Sequence, residues 1–392
     1  MALTSQRPDV RVSVARTAAE VERLAERIRA AGGDNVDADP DWFLTVVAHL
    51  EGVVRPHVVH VERDGLPDLF VIARLDEGRL ETRLGGLAVS RPRVRRLSVA
   101  FGGVVGASSL EDGRLAVEVM EAALAAGEAD AVIFAKVPVD GVVAAAARDV
   151  VPARYRDRSA LPEANWRGRL PDSYDEFMEQ RSKKTRAAAR RSIRKLEDEF
   201  GDELRLRRIT EERELDELCR DLEVIAGSAY QRSLGAGFDG SVLQRELLRT
   251  GLRHGWYRAW VLAIAGRPVA FWSGTGYRGT FVTDSPGFDP AYREQRVGEY
   301  VMLRMIEDLC ADAGLTTLDF GWGDAEYKRR FTDGNREVVD VCVFARSTRG
   351  ARLAGVRAAV NGADGLARRA VARAGVEDRL RRAKRRRATR GE

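Results

Sequence analysis

The residues best suited to chemistry lie between Asp284 and Phe331. Gln295-Arg296-Val297-Gly298 heads an amphipathic run carrying Val301, Met305, Ile306 and Leu309, and this spacing predicts a helix with the four residues at its start. The first-turn N–H groups of a helix and the positive end of its dipole attract anions; Gly298 admits close approach and Arg296 adds a fixed charge. A pyrophosphate fits such a site. A second feature is a cationic run in which Arg181, Lys183, Lys184, Arg186, Arg190, Arg191, Arg194 and Lys195 fall within fifteen residues without an acid among them. Ala189, Ile193, Leu196 and Phe200 form one apolar stripe, so the cations of this helix face outward, and their mutual repulsion favours an anionic ligand.

The elements that must position these residues read as mixed α/β. In the first half a strand at 10–14, a helix over 21–28, and a short helix capped by Asp39 with Pro40 in its first turn precede a hairpin at 57–61 and 69–73. A strand near 97–105, a helix over 111–126 and a strand at 131–135 follow. The stretch 151–166 has two prolines and no period, which places a boundary there. The second half repeats the order: strand 204–208, helices 211–226 and 241–254, a hairpin 259–264/269–273 turning at Gly266, strand 279–283, helix 298–313 and strand 316–320. An internal duplication is expected. The domains are expected at 1–158 and 159–345, followed by a basic helical or disordered tail over 346–392.

The strand, then Gln295-Arg296-Val297-Gly298-Glu299-Tyr300, then helix resembles the acyl-coenzyme A loop of the GNAT (Gcn5-related N-acetyltransferase) superfamily, with Tyr300 in place of the last small residue. Together with Asp319-Phe320-Gly321-Trp322-Gly323-Asp324, Tyr327-Lys328 and the basic helix from Ser182, it resembles the CelD-type acetyltransferase domain, related to the Fem-type aminoacyltransferases. The resemblance covers about 160–345 well and the N-terminal half loosely. It implies two GNAT-like halves and transfer of an acyl group from an activated donor to an amine, without a metal. The donor is an acyl-CoA in most GNAT enzymes and aminoacyl-tRNA in Fem-type relatives. In the Fem-type group an aromatic-Lys pair followed by Phe lies at the active centre, an arrangement matched by Tyr327-Lys328-Arg329-Arg330-Phe331. That makes Lys328 a candidate for stabilising donor phosphate or an oxyanion.

Such a reaction needs a base, an oriented donor and an oxyanion partner. Asp284, Asp319 and Asp324 fall near strand ends, where each can serve as base or hold the amine. Asp324 is preferred for its glycine-rich setting, turn formation being its competing role. Tyr327 or Tyr300 can protonate the leaving group, and Trp272 and Trp322 can wall an acceptor pocket or simply pack in the core. On the basic helix Lys183, Lys184, Arg186 and Arg190 are candidate contacts for phosphates of coenzyme A, tRNA or an acidic glycan lipid.

Composition narrows the rest. The 392 residues, 44% hydrophobic and 32% charged, fit a folded chain of two cores. Cys219, Cys310 and Cys342 are widely spaced and odd in number, so neither a disulfide framework nor a zinc site is expected, and a reducing cytoplasm is. His57 and His60 fall on opposite faces of a strand. No signal segment or membrane span is expected. Residues 346–392 hold 15 Lys+Arg against 4 Asp+Glu, leaving the remainder net negative, and such an end suits nucleic acid or the anionic inner face of a membrane. Two alternatives to acyl-CoA transfer stay open: a Fem-like transferase using aminoacyl-tRNA on a small molecule or cell-wall precursor, and a non-catalytic protein docking on anionic surfaces.

Overall fold

The computed structural model describes residues 10–85, 87–228, 238–284 and 286–373. It comprises two compact units, the first formed by residues up to Glu163 together with those from Glu337, the second by Ala164–Arg336.

In the first unit the chain runs β1 (Val10–Ala15), α1 (Ala18–Ala30), α2 (Pro40–His49), β2 (Val53–Arg63), β3 (Leu69–Arg79), β4 (Thr82–Leu84), β5 (Leu87–Ser90), β6 (Arg93–Val105), α3 (Leu110–Ala125), β7 (Ala131–Pro138) and α4 (Val142–Val150). Local chemistry sets several ends. Thr17 and Glu20 form a reciprocal capping box on α1, and the Asp39 side chain accepts from Asp41 N–H ahead of Pro40, as the sequence predicts. The strands order as β1-β2-β3-β6-β7 with only β6 and β7 parallel. The sheet is buried on both faces. Val59, Val61 and Leu75 pack with Leu115, Val119 and Met120 of α3, whereas Val58, Phe70 and Ile72 pack with Val21, Ile28 and Phe43. This explains the near-continuous valine runs. His57 lies near Glu128 while His60 stacks on Phe70, as opposite faces require, and no His/Cys/Asp/Glu group among the described residues could hold a metal.

The start of α3 is filled by its own carboxylate. Buried Asp112 accepts from the Ser108 and Ser109 N–H groups at 2.8 and 2.9 Å and pairs with Arg63. Burial alone would raise its pKa, but these donors outweigh burial and hold it at about 2. A depressed carboxylate contributes stability that is complete above its unfolded pKa and disappears as pH falls through the folded value. Acid unfolding of this unit is therefore expected to steepen between about pH 4 and 2, and Asp112→Asn to remove about 2 kcal/mol of neutral-pH stability while flattening that limb in urea titrations followed against pH.

The second unit runs β8 (Glu163–Arg169), α5 (Tyr174–Glu179), α6 (Lys183–Phe200), β9 (Leu204–Ile209), α7 (Leu215–Ser228), α8 (Val242–Arg253), β10 (Tyr257–Ile264), β11 (Arg267–Tyr277), β12 (Thr280–Thr283), β13 (Gly287–Phe288), α9 (Val297–Cys310), β14 (Thr317–Trp322) and α10 (Glu326–Phe331). The order β9-β10-β11-β12-β14-β8 has one parallel pair, β12 with β14. This is the arrangement of the first unit over again. Ala265-Gly266 and Arg278-Gly279 turn the two hairpins with positive φ at both positions, the twist that two-residue loops favour.

Two segments depart from expectation. β15 (Gly334–Phe344) pairs antiparallel with β7, so the first unit takes its sixth strand from chain that follows the second. After it α11 (Thr348–Arg373) is not a solvated tail: Ala354, Ala358 and Asp364 are buried, and Arg357 and Asn361 donate to buried Asp157 at 2.9 and 2.7 Å. The expected divisions at 158 and 345 thus give way to 163 and 336, and 346–373 belongs to the first unit. The end of the expected tail, 374–392, lies outside the described residues.

Candidate functional site

α9 opens without a side-chain cap, its N-cap Arg296 in the left-handed region at φ 56°. A cavity of about 480 Å³ stands against this opening. Its walls are Arg293, Arg296, Val297, Gly298, Glu299 and Met302 from the loop and helix, Pro286, Gly287 and Phe288 from the strand before it, Trp272 from β11, and Ala325, Glu326, Tyr327 and Arg330 around α10. A Cβ on Gly298 would make an ordinary contact with the Phe288 ring at 3.5 Å. Three arginines and two acids line it: Glu299 lies 3.4 Å from both Arg296 and Arg330, Glu326 stands at the start of α10, and Arg293 has no ion-pair partner among the described residues. Trp272, Phe320 and Tyr327 stand edge-to-face, with centroids 5.4–5.8 Å apart, and form a rigid apolar wall. Trp272 is further fixed by its indole N–H, which donates to the Gly298 carbonyl at 2.8 Å.

Beside the cavity the sheet splits. β12 and β14 pair only from Thr280–Thr317 to Val282–Asp319; beyond that β14 bulges at Gly321, φ 70°, and rejoins β8 at Trp322–Asn165. Neighbouring strand residues face opposite sides. Trp272 faces the α9 layer with Trp260, while Ser273 lies on the face of Tyr257, which packs with α7 and α8. On that second face the Asp284 carboxylate accepts from Ser273 Oγ at 3.1 Å, with the buried Tyr257 phenol beside it. Asp284 keeps exposed surface at the end of β12, yet loss of water around its carboxyl pushes the pKa up, against the pull of the two hydroxyls.

The candidates therefore separate. Arg296, Val297, Gly298, Trp272 and Tyr327 line one cavity; Gln295 borders it but donates to Glu199 at 3.1 Å. Tyr300 turns away, its hydroxyl donating to Glu197, so its bulk does not fill the donor loop. Asp319 is buried and fully engaged, accepting from Asn165 at 2.8 Å and Gly321 N–H at 2.7 Å and pairing with Arg167. Asp324 is exposed, pairs with Arg329 at 2.7 Å and lies off the cavity, as does exposed Trp322. Lys328 is buried, and its Nζ donates to the Trp322 carbonyl at 2.7 Å and the Gly321 carbonyl at 3.4 Å. Burial holds its pKa below the usual lysine range, and it clamps the β14 bulge. Lys328→Ala should accordingly cost about 2–4 kcal/mol in urea unfolding. Full stability with a fall confined to turnover would instead give Lys328 a direct part in chemistry.

Sequence reasoning passed over Arg293, Arg330, Glu299 and Phe288. Arg293 lies in the same loop as Arg296, but Arg330 reaches the cavity only through the fold. Just ahead of α6, Arg181 is buried against Asp333, and on α6 Arg186 donates to the Glu179 and Arg181 carbonyls. Lys183, Lys184, Arg190, Arg191, Arg194 and Lys195 are exposed and without ion-pair partners among the described residues.

Residues 183–329 match the family described as an acetyltransferase (GNAT) domain. That stretch, less than half of the chain, is thus similar to a GNAT domain and lies within a mixed α/β fold of two similarly built halves. Among solved structures it is similar to FemX, with TM-score 0.57 and 10% identity over 83% of this chain and 96% of that one. It is also similar to the C-terminal domain of a protein described as a lysylphosphatidylglycerol synthetase from Agrobacterium fabrum, with TM-score 0.51 and 14% identity over 88% and 99%. A conserved protein of unknown function from Bacteroides thetaiotaomicron gives 0.50 and 12% over 84% and 100%. These likenesses are of fold. No curated protein matches the chain. Among the described residues no helix is long and apolar enough to cross a membrane.

Proposed function

We propose that the protein is a cytoplasmic N-acyltransferase that moves an acyl group from an acyl-coenzyme A thioester to an amine. The observation that carries this reading is the cavity at the uncapped start of α9, where Arg293, Arg296 and Arg330 converge on backbone N–H groups beside an apolar wall. A diphosphate joined to an uncharged arm matches that charge and shape. The thioester supplies an activated carbonyl; the remaining work is the protein's. The incoming amine is placed where β12 and β14 part, between the donor cavity and Asp284, which takes the proton from its ammonium. The amine nitrogen bonds to the carbonyl carbon, the carbon–sulfur bond breaks, and Tyr327, on the cavity wall, protonates the departing thiolate.

Calorimetric titration with acetyl-CoA tests the donor. Saturable micromolar binding is expected, and Arg296→Glu, which replaces a cation with an anion beside Glu299, should weaken it roughly a hundredfold. Absence of binding to the wild type would overturn the reading and leave aminoacyl-tRNA as donor.

That second donor is favoured by one observation, the six unpartnered cations on α6. Lys183 and Lys184 stand in the first turn, where cations oppose the helix dipole, and the six like charges repel one another along the helix; a polyanion would relieve both. Binding of this kind falls steeply with salt. The acceptor amine belongs to a small molecule or a cell-envelope precursor.

A further inference from the structure

β4 and β5 form a two-stranded ribbon outside the main sheet of the first unit. Its apolar residues are on the wrong side for a core. Leu84 pairs across the ribbon with Leu87, Val89 follows on the same face, and the three are 39%, 77% and 51% exposed. The ribbon is nonetheless held firmly: Gly85 N–H donates to buried Asp364 at 2.7 Å, and Arg357 donates to the Glu81 carbonyl at 3.2 Å. Leu366, 67% exposed, lies two residues beyond Asp364 on the same helix.

Around this apolar tip arginines outnumber acids. Arg83 and Arg91 share a single acid, Glu81. Arg79 and Arg93 sit directly opposite each other where β3 meets β6, both exposed and without an ion-pair partner among the described residues. Like charges facing across strands are destabilising, and although water and salt screen this exposed pair, an anionic surface turns its repulsion into attraction. Exposed Arg368, paired with Asp364 at 2.8 Å, and Arg369 extend the patch along α11.

We infer that the β4–β5 ribbon docks the protein on an anionic lipid bilayer, Leu84, Leu87 and Val89 entering the interface while Arg79, Arg83, Arg91 and Arg93 meet the headgroups. An apolar tip with a cationic rim matches the two attractions a charged membrane surface provides, and the paired arginines are relieved there. This reading is independent of which donor the second unit binds. The complement of the patch is negative as well as apolar, which distinguishes a bilayer from a neutral protein surface.

The test is co-sedimentation of the full chain with vesicles of phosphatidylcholine alone and of equal parts phosphatidylcholine and phosphatidylglycerol. The wild type should partition onto the mixed vesicles only. Leu84→Ser combined with Leu87→Ser should weaken partitioning at least about tenfold, and Arg79→Ala with Arg93→Ala roughly thirtyfold, neither pair lowering the melting temperature. Undiminished binding of the leucine variant would overturn the inference and assign lipid contact to the basic residues beyond Arg373. A wild-type dimer that the leucine variant dissolves, with no vesicle binding, would overturn it by making the patch a contact between two copies.

Discussion

Ending the chain at Ala345 should unfold the first unit. The cut removes Arg357 and Asn361 from Asp157, whose side chain is fully buried, and a buried carboxylate stripped of its partner costs about 3–5 kcal/mol. It also uncovers Phe344, Cys342, Leu80 and Val94, which pack with Ala354. Against a total stability of about 5–15 kcal/mol, the two losses leave little. Circular dichroism melts should show one of two transitions lost or the protein insoluble, whereas a chain ending at Arg373, which keeps these contacts, should retain both transitions. A melt within a few degrees of wild type for the shorter chain would show α11 to be dispensable. The practical consequence is that the basic end can be tested for ligand contacts only by cuts beyond Arg373.

The second large effect concerns the base. Asp284→Asn keeps an acceptor for Ser273 and changes little in volume, so folding should survive while the proton acceptor is lost. General base catalysis is worth about 10²–10⁴-fold, and kcat should fall by that range with acetyl-CoA affinity unchanged. Because water is excluded around its carboxyl, the Asp284 pKa is raised; the group is active only when ionised, so kcat/KM should climb with pH along a limb whose midpoint lies above the ordinary carboxylate range. Asp284→Asn should flatten that limb. Equal turnover in the variant would move the role to another residue, with exposed Asp324 next.

Local signals were legible in the sequence, and long-range ones were not. The α9 loop could be read because Arg296, Val297 and Gly298 are consecutive, and the cap of α2 because Asp39-Pro40 determines it locally. Arg330 joins Arg296 only when α10 folds back, which no spacing announces. Lys328 and Asp319 looked like site residues because charged groups near glycines suggest chemistry; their partners, the Trp322 carbonyl and Asn165, show them instead bracing the bulge. α11 escaped because its buried positions are alanines, an aspartate and the stem of Arg357, so no apolar stripe marks it. β15 escaped as a member of the first unit because its partner β7 lies some two hundred residues earlier in the chain.

That distance has a consequence for synthesis. The second unit is one uninterrupted stretch, but the first lacks β15 and α11 until the residues beyond Arg336 have been made. At about 5–20 residues per second, the ribosome needs roughly 10–40 s to travel from the end of the first stretch to the end of α11. Until β15 is made the open edge of β7 waits for its partner, and α11 comes later still, so the half that emerges first is the half completed last.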